Sequence, residues 1–212
     1  MNRPVIIIGA GGHAKVVIDA LLLIGIKVFA AADIDPARRG QSILSIPIIG
    51  EDRIAAEHAP DSVMLANGIG STGNPKARRA VFYRFKKLGY VFRTVIHPSA
   101  VIARDVEIGE GCQIMAGVVI QTGVRTGINS IINTRSSVDH DCRIGDHVHI
   151  APGVTLSGAV IIGDGAHLGS GATVIQECSI GNDCIIAAGA VVVDNVAPGI
   201  VVRGVPAKKA ML

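Results

Sequence analysis

From Ile96 onward the apolar residues recur every six positions. Stepping by six from Ile96 reaches Val192 in seventeen positions, all of them aliphatic except Thr126. The position two before each is small, as at Ala100, Cys112, Ser130, Ser136 and Ala190, and glycine follows the aliphatic at Gly109, Gly145, Gly163, Gly169 and Gly181. Helices repeat at 3.6 residues and flat strands at 2, so neither explains this period. It predicts a hexapeptide-repeat parallel β-helix, whose stacked coils bury one continuous apolar column. Six residues make one face of a prism and eighteen make a coil, so the stretch holds five complete coils and part of another. Glycine and other small residues stand where the chain bends through crowded or left-handed geometry.

Ahead of residue 95 the pattern changes, which predicts two domains, 1–95 and 96–212. Val5-Ile6-Ile7-Ile8 reads as a buried strand, followed by Gly9-Ala10-Gly11-Gly12-His13-Ala14 and a helix with Val17, Ala20, Leu21 and Ile24 on one face, ended by Gly25. Residues 28–32 form a second strand stopping at Asp33, and residues 63–66 a third before Gly68 and Gly70. A basic helix starts at Asn74-Pro75 and runs to Leu88, and residues 90–95 lead into the repeats as a last strand. Strand, glycine turn, helix and strand describe a small parallel α/β domain of the Rossmann kind.

Composition narrows the function classes. The 212 residues are 49% hydrophobic and 17% charged, with no Trp, and the net charge of +3 is too slight and dispersed to argue for nucleic acid. No stretch has the ~18 apolar residues of a membrane span, and Met1 to Pro4 lead straight into a strand without a signal peptide, so a cytoplasmic, soluble protein is expected. Cys112, Cys142, Cys178 and Cys184 are 30, 36 and 6 residues apart. All four therefore share the small inward position of the repeat and read as core fillers.

Two stretches carry candidate chemistry. Gly9-x-Gly11-x-x-Ala14 with Asp33 downstream fits a loop that brings a diphosphate onto a helix N-terminus while the carboxylate accepts a hydrogen bond from ribose or base. With under a hundred residues before the repeats, only a mononucleotide-binding half is available, so a nucleotide diphosphate fits better than NAD; a glycine turn that only packs helix on strand is the structural alternative. His13, at the first turn of that helix, either faces the loop's ligand or caps the helix. The basic residues of the later helix, among them Lys76, Arg78, Arg79 and Arg84, read as a solvated face, with Arg78 or Arg79 near a ligand as the alternative. In the repeats, His140 stands two residues after inward Val138, between Asp139 and Asp141. A neutral imidazole takes a proton from an amine or hydroxyl, and a neighbouring carboxylate fixes its tautomer. His149 and His167 are eighteen apart and so stacked on neighbouring coils, which with His147 admits a zinc reading. A nucleotide-sensing module on a structural solenoid is the non-enzymatic alternative.

Gly11-Gly12-His13-Ala14-Lys15-Val16-Val17, the segment from Asn133-Thr134 to His140-Asp141-Cys142, and Gly204-Val205-Pro206-Ala207-Lys208 together resemble the sugar O-acyltransferase family of the sialic acid O-acetyltransferase type. Within it the chain is most similar to N-acetyltransferases of nucleotide-linked 4-amino sugars, such as UDP-4-amino-sugar and GDP-perosamine enzymes. The resemblance implies a homotrimer of left-handed β-helices, each with a nucleotide-sugar-binding α/β domain, and acetyl-CoA as co-substrate in the cleft between subunits. It implies His140 as general base with Asp141 beside it, His149 and Gly158 in contact with acetyl-CoA, and Gly11, Gly12, His13 and Asp33 at the nucleotide sugar. No metal is expected. Relatives often carry glutamate where Asp141 stands. The runner-up reading is O-acetylation of sialic acid or a related sugar, as part of surface glycan biosynthesis in either case. Lys208 and Lys209 either meet CoA phosphates or lie in solvent.

Overall fold

The computed structural model describes residues 3–71 and 75–210. Its contacts divide the chain into two units, one taking the residues up to Gly70 and those from Lys76 to Pro98, the other Ser71 and the chain from Ser99 onward.

The first unit is built on a sheet of strands β1 (Val5–Ile8), β2 (Val28–Asp33), β3 (Ser42–Ile43), β4 (Ile46–Gly50) and β5 (Met64–Asn67), in the order β3-β4-β2-β1-β5. β4, β2, β1 and β5 run parallel, and β3 turns back antiparallel on β4. Helices α1 (Gly12–Leu23), α2 (Asp52–Glu57) and α3 (Lys76–Lys87) flank it. Because β1 is covered on both faces, its four residues are all buried, which is why they read as an unbroken apolar run. α1 buries Ala14, Val17, Ile18, Ala20 and Leu21. Ile24, placed on that face from sequence, is instead the C-cap and is exposed, because the helix ends one residue earlier. The strand expected over residues 90–95 is reduced to a bridge from Phe92 to Leu65 and a two-residue strand, β6 (Val95–Ile96). The proposed helix start at Asn74 lies outside the described residues.

Arg78 departs from the solvated face expected of the basic helix. It is buried, its Nη1 donates to the carbonyls of Asn67 and Ile69 at 2.8 Å each, and Asn67 Nδ2 donates back to the Arg78 carbonyl at 3.1 Å. The guanidinium thus ties α3 to the end of β5 and the residues that follow it.

In the second unit the two-residue strands of the repeats pair in parallel with strands eighteen residues away, as in Val119 with Val101 and His149 with His167. One face stacks six strands from Val101–Ile102 to Val191–Val192, and a second stacks five from Glu107–Ile108 to Ser179–Ile180. The third includes Gln113–Ile114, Ile131–Ile132, His149–Ile150, His167–Leu168 and Ile185–Ile186 and closes on Val201–Arg203, with Lys208–Lys209 returning antiparallel. The aliphatic column is buried from Ile114 through Val192, and the four cysteines are free and buried beside it. Thr126 fits the column because its hydroxyl accepts the Gly109 N–H at 3.2 Å. After Val192 the period fails: Val201 pairs with Ile185 across sixteen residues, a shortened last coil.

Coils are also joined outside the core. Asp146 Oδ1 accepts the Ile128 N–H at 2.8 Å, Asp164 Oδ1 the Asp146 N–H at 2.8 Å, and Asn182 Oδ1 the Asp164 N–H at 3.0 Å. Each carboxylate or amide of this ladder fills the space where a side chain on Gly127, Gly145 or Gly163 would stand. The glycines after the aliphatic positions are there for crowding.

Candidate active site

Each coil turns at three corners, and one corner of the third coil holds His140 and Asp141. His140 Nδ1 lies 2.8 Å from Asp141 Oδ2, and the His140 N–H donates to Asp139 Oδ1 at 2.7 Å. Asp141 reaches the ring because its own backbone is left-handed, at φ 61°, a conformation aspartate tolerates better than most L residues. Both side chains are more than half exposed. The carboxylate accepts from Nδ1, so the neutral ring carries its proton there and its lone pair on Nε2. The hydrogen bond that His140 donates to Asp141, with the charges of Asp139 and Asp141 adding to it against some desolvation, raises the His140 pKa above its ordinary value. Gly158 occupies the same corner one coil on: its carbonyl accepts the Glu177 N–H at 3.0 Å, and the Ala159 N–H beside it donates to the His140 carbonyl at 2.8 Å. Cys142, next in sequence, is no nucleophile: burial pushes its thiol up to about 11.

His149 stands on the third face, away from that corner. Its Nδ1 is 2.6 Å from the Ser71 carbonyl and 2.9 Å from Ser71 Oγ. A carbonyl only accepts, so Nδ1 carries the proton and Nε2 accepts from Asn133 Nδ2 at 3.3 Å. The amide of Asn133 is oriented by its own Oδ1, which accepts the Thr134 N–H at 2.8 Å. His167 meets the His149 ring edge to face at 5.0 Å, and burial lowers its pKa, favouring the neutral form. Ser71, His149, His167, Gly169 and Ala187 line a mainly apolar cleft of about 450 Å³, within the size range of small-molecule sites. Among the described residues no three His, Cys, Asp or Glu side chains are grouped to hold a metal, and His147 instead pairs its Nδ1 with Asn129 Nδ2 at 2.9 Å.

In the first unit the glycine loop joins β1 to α1. Gly9 has φ +92°, and its N–H donates to the Ala32 carbonyl at 2.6 Å. Gly11 is the N-cap of α1 and has no side chain to cap it; a Cβ on Gly11 or Gly12 would meet open space. No acidic residue stands in the first turn, so its N–H groups suit an anion. His13 follows in that turn and packs against Gly70. Asp33 is largely engaged by the loop itself: its Oδ2 accepts the Ala10 N–H at 2.9 Å and its Oδ1 the Asp35 N–H at 3.0 Å. Sequence reasoning missed Lys15 and Arg38. Both line the cleft beside Gly11 and Gly12 together with Asp35 and Gln41, and Arg38 donates to the Ala10 carbonyl at 2.7 Å. Asp35-Pro36 signals the turn that carries Arg38, since Asp35 Oδ1 caps it by accepting the Ala37 N–H at 3.0 Å.

Comparison with known proteins bears on both units. The PglD N-terminal domain matches residues 4–85, and the bacterial transferase hexapeptide repeat matches 92–122 and 159–194. PerB of Caulobacter crescentus, solved with CoA and GDP-perosamine, is 40% identical, with a TM-score of 0.91 over 98% of this chain and 97% of that one. The acetyltransferase domain of PglB from Neisseria gonorrhoeae FA1090, solved with acetyl coenzyme A, is 34% identical, with a TM-score of 0.91 over 99% and 100%. The GDP-perosamine N-acetyltransferase of Escherichia coli O157:H7 is 39% identical over 88 residues, 42% of this chain and 40% of that protein, so the match spans less than half of that relative. With an α/β domain ahead of a left-handed parallel β-helix, the chain belongs to the family of hexapeptide-repeat acetyltransferases that carry a PglD N-terminal domain.

Proposed function

We propose that the protein transfers the acetyl group of acetyl-CoA to the amine of a nucleotide-linked amino sugar, with His140 as general base. The observation that carries this is the His140–Asp141 pair, in which Nδ1 is held at 2.8 Å and the lone pair is left on Nε2. The Caulobacter relative, solved with CoA and GDP-perosamine, supplies the substrate class. In this reading the glycine loop, with Gly11, Gly12 and His13, holds the nucleotide diphosphate, aided by Lys15 and Arg38. Asp33 serves that site by shaping the loop through Ala10 and Asp35. Acetyl-CoA takes the solenoid cleft beside His149 and the backbone of Gly158.

The sugar nitrogen attacks the thioester carbonyl as Nε2 of His140 accepts its proton. A C–N bond forms, the C–S bond breaks, and the imidazolium returns the proton to the departing thiolate. No covalent enzyme intermediate is needed. Positioning the two substrates contributes separately. His140 is at a corner and His149 on the face across the prism, so a site using both takes them from two copies of the chain, in keeping with a trimer. Glycan assembly is the use we propose for the product.

Replacing His140 with alanine tests the base. Thiol release from acetyl-CoA with GDP-perosamine should fall by ~10²–10⁴ in kcat, the span of acid–base help, with KM little changed. A variant that keeps its kcat would remove His140 from the chemistry.

A further inference from the structure

The corner that holds His140 recurs every eighteen residues, and its register contains an inversion. Thr122, His140, Gly158 and Gln176 occupy its first position, and Gly123, Asp141, Ala159 and Glu177 its second. In these four coils the second position is left-handed, with φ of 73°, 61°, 57° and 64°. Glycine is favoured there, because an L side chain in that region crowds its own backbone. The first position has no such requirement and accepts threonine, histidine and glutamine in three coils. In the remaining coil the glycine stands at the first position and an alanine takes the left-handed one. The backbone does not account for Gly158.

The imidazole does. A Cβ on Gly158 would lie 2.6 Å from His140 Nε2, 2.7 Å from Cε1 and 3.3 Å from Cδ2. One coil earlier, a Cβ on Gly123 would lie 2.5 Å from Asp141 Oδ1. The histidine and its carboxylate are thus accommodated by two glycines, one on the coil after and one on the coil before. Gly123 has a backbone reason as well; within the chain, the atoms nearest a side chain on Gly158 are those of the ring.

The geometry points to Gly158 as a positioning residue: its missing side chain is the space in which the His140 ring lies while Nδ1 stays on Asp141. A methyl group there displaces the far end of an exposed side chain, which yields by rotating, so the coil survives and the histidine–aspartate contact does not. This rests on the reading of His140 as base, yet the contact is measurable without turnover.

The test is Gly158→Ala, followed by NMR titration of the histidine side chains, with the His140 signal identified by its loss in His140→Ala. The variant should fold, its His140 pKa should fall toward the ordinary value, and kcat should drop by roughly tenfold or more, part of the ~10²–10⁴ of acid–base help. A lowered pKa with turnover intact would uphold the positioning and defeat the base. An unchanged His140 titration overturns the proposal, whether kcat is also unchanged or KM for acetyl-CoA alone rises, the latter marking Gly158 as a cofactor contact only. If the single variant does not fold, stability of His140→Ala/Gly158→Ala against His140→Ala decides: no added cost once the ring is gone supports the proposal, and an undiminished cost contradicts it.

Discussion

At the scale of single residues the proposed chemistry depends on which atoms are already committed. His140 gives Nδ1 to Asp141 and keeps Nε2, whereas both ring nitrogens of His149 have partners within the protein. The pairing makes the pH profile informative. A base works in its neutral form, so the rate should rise with pH through the raised pKa of His140 and level off above it. Asp141→Asn removes the carboxylate that raises it, and the acid limb should then move to lower pH, with a reduced plateau from the less oriented ring. A pH–rate comparison of the two proteins reads this directly, and an unmoved limb would assign the titration to another group. The pair was legible in the sequence because its members are adjacent. The setting of His149 was not: Ser71 is 78 residues away, and nothing near either residue announces the contact. Asp33 was read as a free acceptor, since its bonds to the Ala10 and Asp35 N–H groups exist only once the loop is folded.

At the scale of elements, the solenoid was legible because one rule governs every coil. An inward aliphatic every six residues writes the register into the sequence, and the strand pairs follow it at eighteen. The region from Ser42 to Glu57 was not read. β3 and β4 are short, Pro47 lies within β4, and the turn between them is made by Leu44 and Ser45 at φ 48° and 63°, without the Asn-Gly or Asp-Gly that usually marks such a hairpin. Arg78 was missed because its face of α3 is packed and its guanidinium donates to the carbonyls of Asn67 and Ile69, acceptors that carry no side-chain signal in the sequence. The ladder of Asp146, Asp164 and Asn182 gives the coils a measurable lateral tie. Asp146→Ala leaves the partly buried Ile128 N–H without its acceptor and should cost about 1–3 kcal/mol in a denaturant titration. A change within the ordinary surface range of about ±0.5 kcal/mol would show the ladder to be incidental.

At the scale of the whole molecule, the separation of His140 from His149 within one solenoid makes assembly part of the proposed mechanism. Mixing His140→Ala and His149→Ala chains under conditions that exchange subunits should raise activity above that of either variant alone, because some composite sites then receive both native histidines. Mixtures no more active than the separate variants would confine the site to one copy. The central claim is more basic: the acceptor is the amine of a nucleotide-linked sugar. Thiol release from acetyl-CoA should be followed with UDP-, GDP- and dTDP-linked amino sugars and, in parallel, with free sialic acid, and the acetylated product characterised as amide or ester. The account predicts release with a nucleotide amino sugar, an amide product, and loss of turnover in His140→Ala. Release with sialic acid alone, giving an ester, would contradict it.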